Sequence, residues 1–363
     1  MRVLLLLIPA LLAAAPPFFE TGAVQKTNGA AFHTNAYPQG SRLASGKLLV
    51  VWSAHQRDGK DNRVVAATST DQGRTWSRPV TLVDHPGEWD GDPNIIVDGK
   101  SVFVYTTNSA MDLKVIDVSR TFMVSSEDDA QTWSKPTEIR MPRKYIAGKQ
   151  HNGLRLEDGT LVMGISWDIW AEKGTPARTE GEMNLVTSVL RSKDGVNWKP
   201  FGYLHALLPK VSPFSTGGVC EPSIVELDSG EIFMILRTGT GNHYESRSRD
   251  GGLTWSDPKP SSLMGHNTPS ALWRLDQNRK EIIAIWNNSP INRYPLTAAI
   301  SGDGGRTWSK PREVAAGEGG QVSYPSITQA SDGAFVAFWQ HQLKEGRDIR
   351  WARFNREWVQ EGK

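Results

Sequence analysis

Residues 301–308 read Ser301-Gly302-Asp303-Gly304-Gly305-Arg306-Thr307-Trp308, and the same octapeptide, S-x-D-x-G-x-T-W, stands at Ser69 to Trp76 and at Ser248 to Trp255. Two worn copies complete the set. Ser126 to Trp133 carries Ala130 where the others carry glycine, and Ser192 to Trp198 is one residue short. The five tryptophans, at 76, 133, 198, 255 and 308, are 57, 65, 57 and 53 residues apart. A period in that range is the mark of a propeller blade. Each octapeptide is expected to form a hairpin turn. The aspartate accepts backbone N–H bonds, the glycine takes a positive φ, and the tryptophan packs between sheets. A calcium loop needs several alternating oxygen ligands, and this pattern lacks them.

A second repeat lies upstream of the boxes: a residue before proline, a glycine turn, then an apolar strand. It reads Tyr37-Pro38 with Gly46 and LLVVW, Asp92-Pro93 with Gly99 and VFVY, and Glu221-Pro222 with Gly230 and IFMIL. Thr268-Pro269 precedes IIAIW, Tyr324-Pro325 leads through Gly333 to FVAFW, and His151-Asn152 replaces the X-Pro pair before Gly159 and LVMGI. These units predict an all-β, six-bladed β-propeller with Asp-box repeats, spanning residues 16–363. The last unit has no box, and a strand from Phe19 to Gln25 is expected to complete it. Residues 1–15 read as a signal peptide: Met1-Arg2, an apolar run from Val3 to Leu12, and Ala13-Ala14-Ala15. The expected location is therefore secreted or periplasmic. No apolar stretch is long enough to span a bilayer.

If the first strand of each unit lines a central channel, the strand starts and the ends of the second strands share one face, and the boxes lie on the other. That face then gathers Tyr37, Asp92, His151, Glu221, Thr268 and Tyr324 with His55, Asp168, Arg237, Asn287 and His341. Acids, bases, phenols and a guanidinium at equivalent repeat positions point to a site. Trp167 and Trp170 read equally as sugar platforms or as hydrophobic plugs.

The octapeptide resembles the Asp-box of the sialidase (neuraminidase) superfamily, and the resemblance extends over nearly the whole chain after the leader. It implies a retaining glycoside hydrolase, of exo-sialidase type, acting on terminal acidic sugars. By this likeness Tyr324 in SYPSI is the nucleophile, Glu221 in GGVCEPSIVELDSG its proton acceptor, and Asp61 the acid/base. Arg237 and Arg293 resemble two of the family's three carboxylate-binding arginines, and Asp92 resembles a further pocket carboxylate. The chemistry suits these types. A sialic acid carries its carboxylate on the anomeric carbon, which repels an anionic nucleophile, whereas a neutral tyrosine relays charge through a neighbouring glutamate. The sequence departs from the pattern where the first arginine belongs: it has Asn35-Ala36-Tyr37, and His55, Arg57 and His33 are the nearby substitutes.

The balance of 41 Lys and Arg against 39 Asp and Glu leaves no basic field for nucleic acid. Glycans are the remaining partner class, and the sequence leaves the oligomeric state open. The single cysteine, Cys220, forms no intrachain disulfide, and the 8 histidines show no zinc-ligand spacing, so neither metal nor cofactor is expected. Two other functions fit the same residues. One is a propeller glycosidase or lyase on a uronic-acid-bearing glycan, with His151 and Tyr324 as base and acid. The other is a non-catalytic glycan-binding propeller.

Overall fold

A computed structural model describes residues 15–28, 31–57, 61–110, 119–141, 153–169, 183–276, 278 and 280–361. His151, Trp170 and most of the leader fall outside them. The described chain is almost entirely β. After β1 (Phe19–Gln25), four antiparallel strands follow: β2 (Thr34–Arg42), β3 (Leu48–His55), β4 (Asn62–Ser69) and β5 (Val80–Asp84). The next sheet is β6 (Glu88–Asp98), β7 (Ser101–Ala110), β8 (Arg120–Ser126) and β9 (Thr137–Ile139). Then come β10 (Leu154–Arg155), β11 (Leu161–Asp168), β12 (Asn184–Ser192) and β13 (Lys199–Leu204), with the short β14 (Gly217–Gly218) added parallel to β12. Two further meanders are β15 (Cys220–Glu226), β16 (Ile232–Arg237), β17 (Asn242–Ser248), β18 (Lys259–Met264), and β19 (Ala271–Arg274), β20 (Ile282–Asn287), β21 (Leu296–Ser301), β22 (Arg312–Ala315). The chain ends with β23 (Val322–Gln329), β24 (Phe335–Gln342), β25 (Arg347–Phe354) and the short helix α1 (Arg356–Gln360). β1 lies antiparallel on β25, with Phe19 opposite Phe354, in the place the sequence assigned to the closing strand. A single parallel pair, Thr34 with Arg347, joins β25 to β2 and makes the first and last sheets one eight-stranded sheet.

This is a propeller-like arrangement of twisted antiparallel sheets packed face to face. The innermost strands neighbour one another: β2 against β6 and β23, β10 against β6 and β15, β19 against β15 and β23. Their polar side chains tie one sheet to the next. Ser326 on β23 accepts from the Gly40 amide at 2.9 Å, Ser223 on β15 from Leu272 at 2.9 Å, and Asn94 on β6 from Gly153 at 3.1 Å. Between sheets the faces are apolar. Trp52 and Val65 meet Phe338 and Ile349 in one cluster, and Phe233 and Ile235 meet Trp286 and Ala299 in another. Each such large side chain, fully withdrawn from water, contributes about 1.5–3 kcal/mol. Among the described residues no helix is long and apolar enough to cross a membrane.

The octapeptides form the turns between third and fourth strands. In the box before β22, the Asp303 carboxylate accepts from the Arg306 and Thr307 amides at 3.0 and 2.8 Å and from the Thr307 hydroxyl at 2.7 Å. Gly305 holds φ at 84°, and a Cβ there would lie 2.5 Å from the Phe233 ring of the preceding sheet. The worn boxes keep the same logic. Ala130 itself adopts φ 62°, and the Thr132 hydroxyl leads the bonds that hold the Asp128 carboxyl well below the usual carboxylate range. In the shortened copy Asn197 replaces threonine and donates to Asp194 at 2.7 Å. The box tryptophans pack onto the neighbouring sheet, Trp76 edge-on to Phe338 at 5.4 Å and Trp198 edge-on to Tyr105 at 5.6 Å.

Candidate active site

The X-Pro pairs are β-bulges. Proline has no N–H for the ladder, and the pairing slips between Ala36 and Gln39, Gly91 and Asn94, Cys220 and Ser223, and Ser323 and Ser326. In these four pairs the residue before proline takes the left-handed conformation: Tyr37 at φ 56°, Asp92 at 47°, Glu221 at 44° and Tyr324 at 53°. For side chains other than glycine this costs on the order of 1–3 kcal/mol each, and such strain concentrates where a side chain must be aimed. The preceding sheet holds two of these kinks in place: Ser166 accepts the Glu221 amide at 2.9 Å and Gln340 accepts the Tyr37 amide at 3.2 Å.

Arg237, at the end of β16 and 3% exposed, is the hub. Its Nη1 donates to Glu221 Oε1 at 2.8 Å and to the Tyr324 hydroxyl at 3.4 Å. Its Nε and Nη2 donate to Asn267 Oδ1 at 3.2 and 2.8 Å. Asn267, itself at φ 48°, also accepts from the Thr216 hydroxyl at 2.7 Å. Its backbone carbonyl takes Arg293 Nη2 at 2.6 Å, and the Arg293 guanidinium lies 5.4 Å from the centre of the Tyr324 ring. The structure thus brings together four residues singled out in the sequence, Glu221, Arg237, Arg293 and Tyr324. Glu221 Oε2 is buried and makes no hydrogen bond.

Tyr37 meets Tyr324 edge-on at 4.7 Å. Burial, reinforced by Tyr324, Asp92 and Glu221 and opposed by Arg347, pushes its hydroxyl far above the ordinary phenol range, so Tyr37 stays a neutral phenol. Asp92 shares this cluster through its influence on Tyr37. His55 closes the same wall. Burial, with help from Arg347, lowers its pKa to about 4, so it is neutral at physiological pH and cannot stand in as a cation. Asn35, in the segment where an arginine was missing, is a pin. It donates to the Phe32 and Arg347 carbonyls at 3.0 and 2.9 Å and accepts from Trp52 Nε1 at 3.0 Å.

Asp61 stands in a cluster of its own, accepting from Gln56 at 2.8 Å and from Arg63 at 2.7 Å. Arg57 reaches Glu345 on the surface at 3.2 Å. Thr268 and Asn287 bond each other at 2.8 Å, and Asn287 donates to the Val322 carbonyl at 2.7 Å, so both are inter-sheet ties. Asp168 accepts from the Asn184 amide at 3.2 Å, and His341 contacts the Glu318 carbonyl at 2.9 Å. Three residues of this neighbourhood were not singled out in the sequence: Asn267, Arg347 and His266. His266 contacts Ser215 at 3.3 Å, and burial, then Arg293 and Arg237, lower its pKa. Asn267 precedes Thr268-Pro269, so alignment of the X-Pro repeats was the signal that could have found it.

Fold and cluster define a propeller-like β protein whose strained strand starts bring a carboxylate and two tyrosines against two arginines. The chain belongs to the BNR repeat-like domain family, whose model matches residues 46–337, and with it to the sialidase superfamily. A sialidase of Bacteroides fragilis is 24% identical over 325 residues, covering 78% of this chain and 55% of that protein, so the chain spans little more than half of it. An exo-alpha-sialidase of Arthroderma benhamiae is 23% identical over 399 residues, covering 92% of this chain and 86% of that protein. Among solved structures, the NanB sialidase of Streptococcus pneumoniae superposes with a TM-score of 0.74 at 14% identity, over 92% of this chain and 70% of that one. A likeness at that identity speaks for the fold.

Proposed function

We propose that this protein is a secreted or periplasmic glycoside hydrolase that removes terminal acidic sugars from glycans, with retention, from one six-bladed propeller. The observation that carries the reading is the Glu221–Arg237–Tyr324 constellation, a buried carboxylate and a phenol sharing one guanidinium nitrogen. The Tyr324 oxygen attacks the anomeric carbon while the bond to the leaving oxygen breaks. The phenol proton passes to Glu221, whose Oε2 has no other partner. Asp61, on the loop after β3, protonates the leaving oxygen and then activates the water that releases the sugar. Arg237 and Arg293 receive the substrate carboxylate. The blade count is supported by the closed succession of innermost strands β2, β6, β10, β15, β19 and β23, with the eight-stranded sheet counted as two blades joined by one residue pair.

The alternative of a uronic-acid-bearing substrate is favoured by one observation: β2 places Tyr37, and no arginine, at the kink beside Tyr324. A panel of aryl glycosides containing a sialoside and a glucuronide separates the readings. Release of aryl alcohol from the sialoside supports the first, and turnover of the glucuronide alone replaces it with the second. Sugar binding without any turnover leaves a glycan-binding propeller and refutes both enzymatic readings.

A further inference from the structure

The cations of the central cluster differ in how far they are engaged. Arg237 is bound to Glu221, Tyr324 and Asn267, and Arg293 to the Asn267 carbonyl and the Tyr324 face. On the Tyr37 side, β2 supplies no cation, Asn35 is consumed in backbone ties, and His55 is buried and neutral. Arg347 occupies that wall. Its Cα pairs with Thr34, three residues before Tyr37, and Thr34 in turn pairs with His55. Its backbone is locked on both sides, the amide to the His33 carbonyl at 3.1 Å and the carbonyl to Asn35 Nδ2 at 2.9 Å. Its Nε is held by Gln342 Oε1 at 2.5 Å, which orients the guanidinium. Neither terminal nitrogen has an acceptor among the described residues, and the side chain is half-buried. Its charge is felt by both Tyr37 and His55. A pre-oriented guanidinium whose terminal nitrogens have no acceptor among the described residues is suited to a planar or tetrahedral oxyanion.

We propose that Arg347, on the wall that also carries Tyr37, forms an anion subsite of the pocket that holds the acidic group of the sugar. The residue comes from the last strands of the chain and does the work of a cation that β2 does not place at its Tyr37 kink. This rests on the reading of the pocket as a site for acidic sugars. A carboxylate and a sulfate ester present the same oxygens, and the experiment distinguishes them.

The test measures affinity of the full chain, by calorimetry, for N-acetylneuraminic acid, glucuronic acid, their methyl esters and a sulfated galactose. Arg347→Gln is compared with Arg347→Lys, and thermal melting checks that both variants fold. Arg347→Gln is expected to weaken binding of the acid that the wild type takes by roughly 10- to 150-fold, with Arg347→Lys losing less. The corresponding ester should change less than twofold. Binding of the sulfated sugar alone, lost in Arg347→Gln, supports the subsite and makes its anion a sulfate. An acid that binds equally well to wild type and Arg347→Gln overturns the assignment of Arg347 while leaving the acidic-sugar reading standing. Equal losses for acid and ester also overturn it, because they mark damage to the pocket and not a lost charge contact. A wild type that binds none of the anionic sugars overturns both.

Discussion

Arg237 and Glu221 are 3% and 5% exposed and lie 2.8 Å apart, so removing one of them strands the other. Arg237→Leu leaves the Glu221 carboxylate buried without its counter-charge and takes two donors from Asn267. Breaking a buried pair on one side costs about 3–5 kcal/mol. That is a large share of the 5–15 kcal/mol by which most folded domains are stable, and it corresponds to a fall in melting temperature of about 5–10 °C. Asn267 keeps its bonds to Thr216, so the loss is centred on the carboxylate. Replacing both members, Arg237→Leu with Glu221→Leu, removes the stranded charge, and the pair should then lie within about 2 kcal/mol of the parent. The assay is urea unfolding followed by tryptophan fluorescence for parent, both single variants and the double variant. A coupling of at least about 2 kcal/mol is expected. Additive effects, or an Arg237→Leu variant destabilised by less than about 1 kcal/mol, would show that the pair is not the buried hub described above.

Tyr324→Phe keeps the edge contact with Tyr37 and the ring beneath Arg293 but loses the hydroxyl, so kcat on any cleaved glycoside should fall by at least about 100-fold at unchanged melting temperature; unchanged kcat removes Tyr324 from the chemistry. His55 and His243 have pKa values lowered to about 4, each first of all by burial, against about 6.5 in the unfolded chain. Their neutral forms therefore stabilise the fold above pH 6.5, and that contribution is lost as pH falls toward about 4, by up to about 3 kcal/mol for each. Melting curves from pH 7.5 to 4.5 should show the fall, and His55→Gln should flatten it; a parallel curve for the variant refutes the assignment. Gly305→Ala places a Cβ against Phe233 at φ 84°, so it should cost more than about 1 kcal/mol in urea unfolding, whereas no loss would mean the box turn is not held by that approach.

The repeat was legible because both of its devices are local. An aspartate three or four residues from the amides it accepts, and a proline that must leave the ladder, each write their geometry into a short stretch of sequence. Alignment of the repeats then brought Glu221, Arg237 and Tyr324 to one face, and they do meet. What escaped notice is set by packing across the chain. Asn35 sits where a cation was sought, but its bonds to Trp52 and to the Arg347 carbonyl show a residue occupied with holding strands together. Arg347 lies beyond any motif and reaches the pocket only because β25 lies beside β2. His55 looked like a titrating substitute for an arginine, and only its burial reveals that it carries no charge near neutrality. Left-handed residues before proline could not be read either, since proline disfavours helical conformations in its predecessor without dictating a positive φ.

The pairing of β1 with β25 sets an order of events. Phe18 donates to Asn355, 337 residues away, and Asn355 donates back to the Pro16 carbonyl. Contacts of such separation are the slowest to form, because the intervening chain must first be ordered. During synthesis the first strand therefore waits, unpaired, until β25 has emerged. Until β1 docks, β25 offers a row of free backbone donors and acceptors to any extended peptide nearby. Trimming residues 16–25 would leave that edge of β25 permanently open to such pairing.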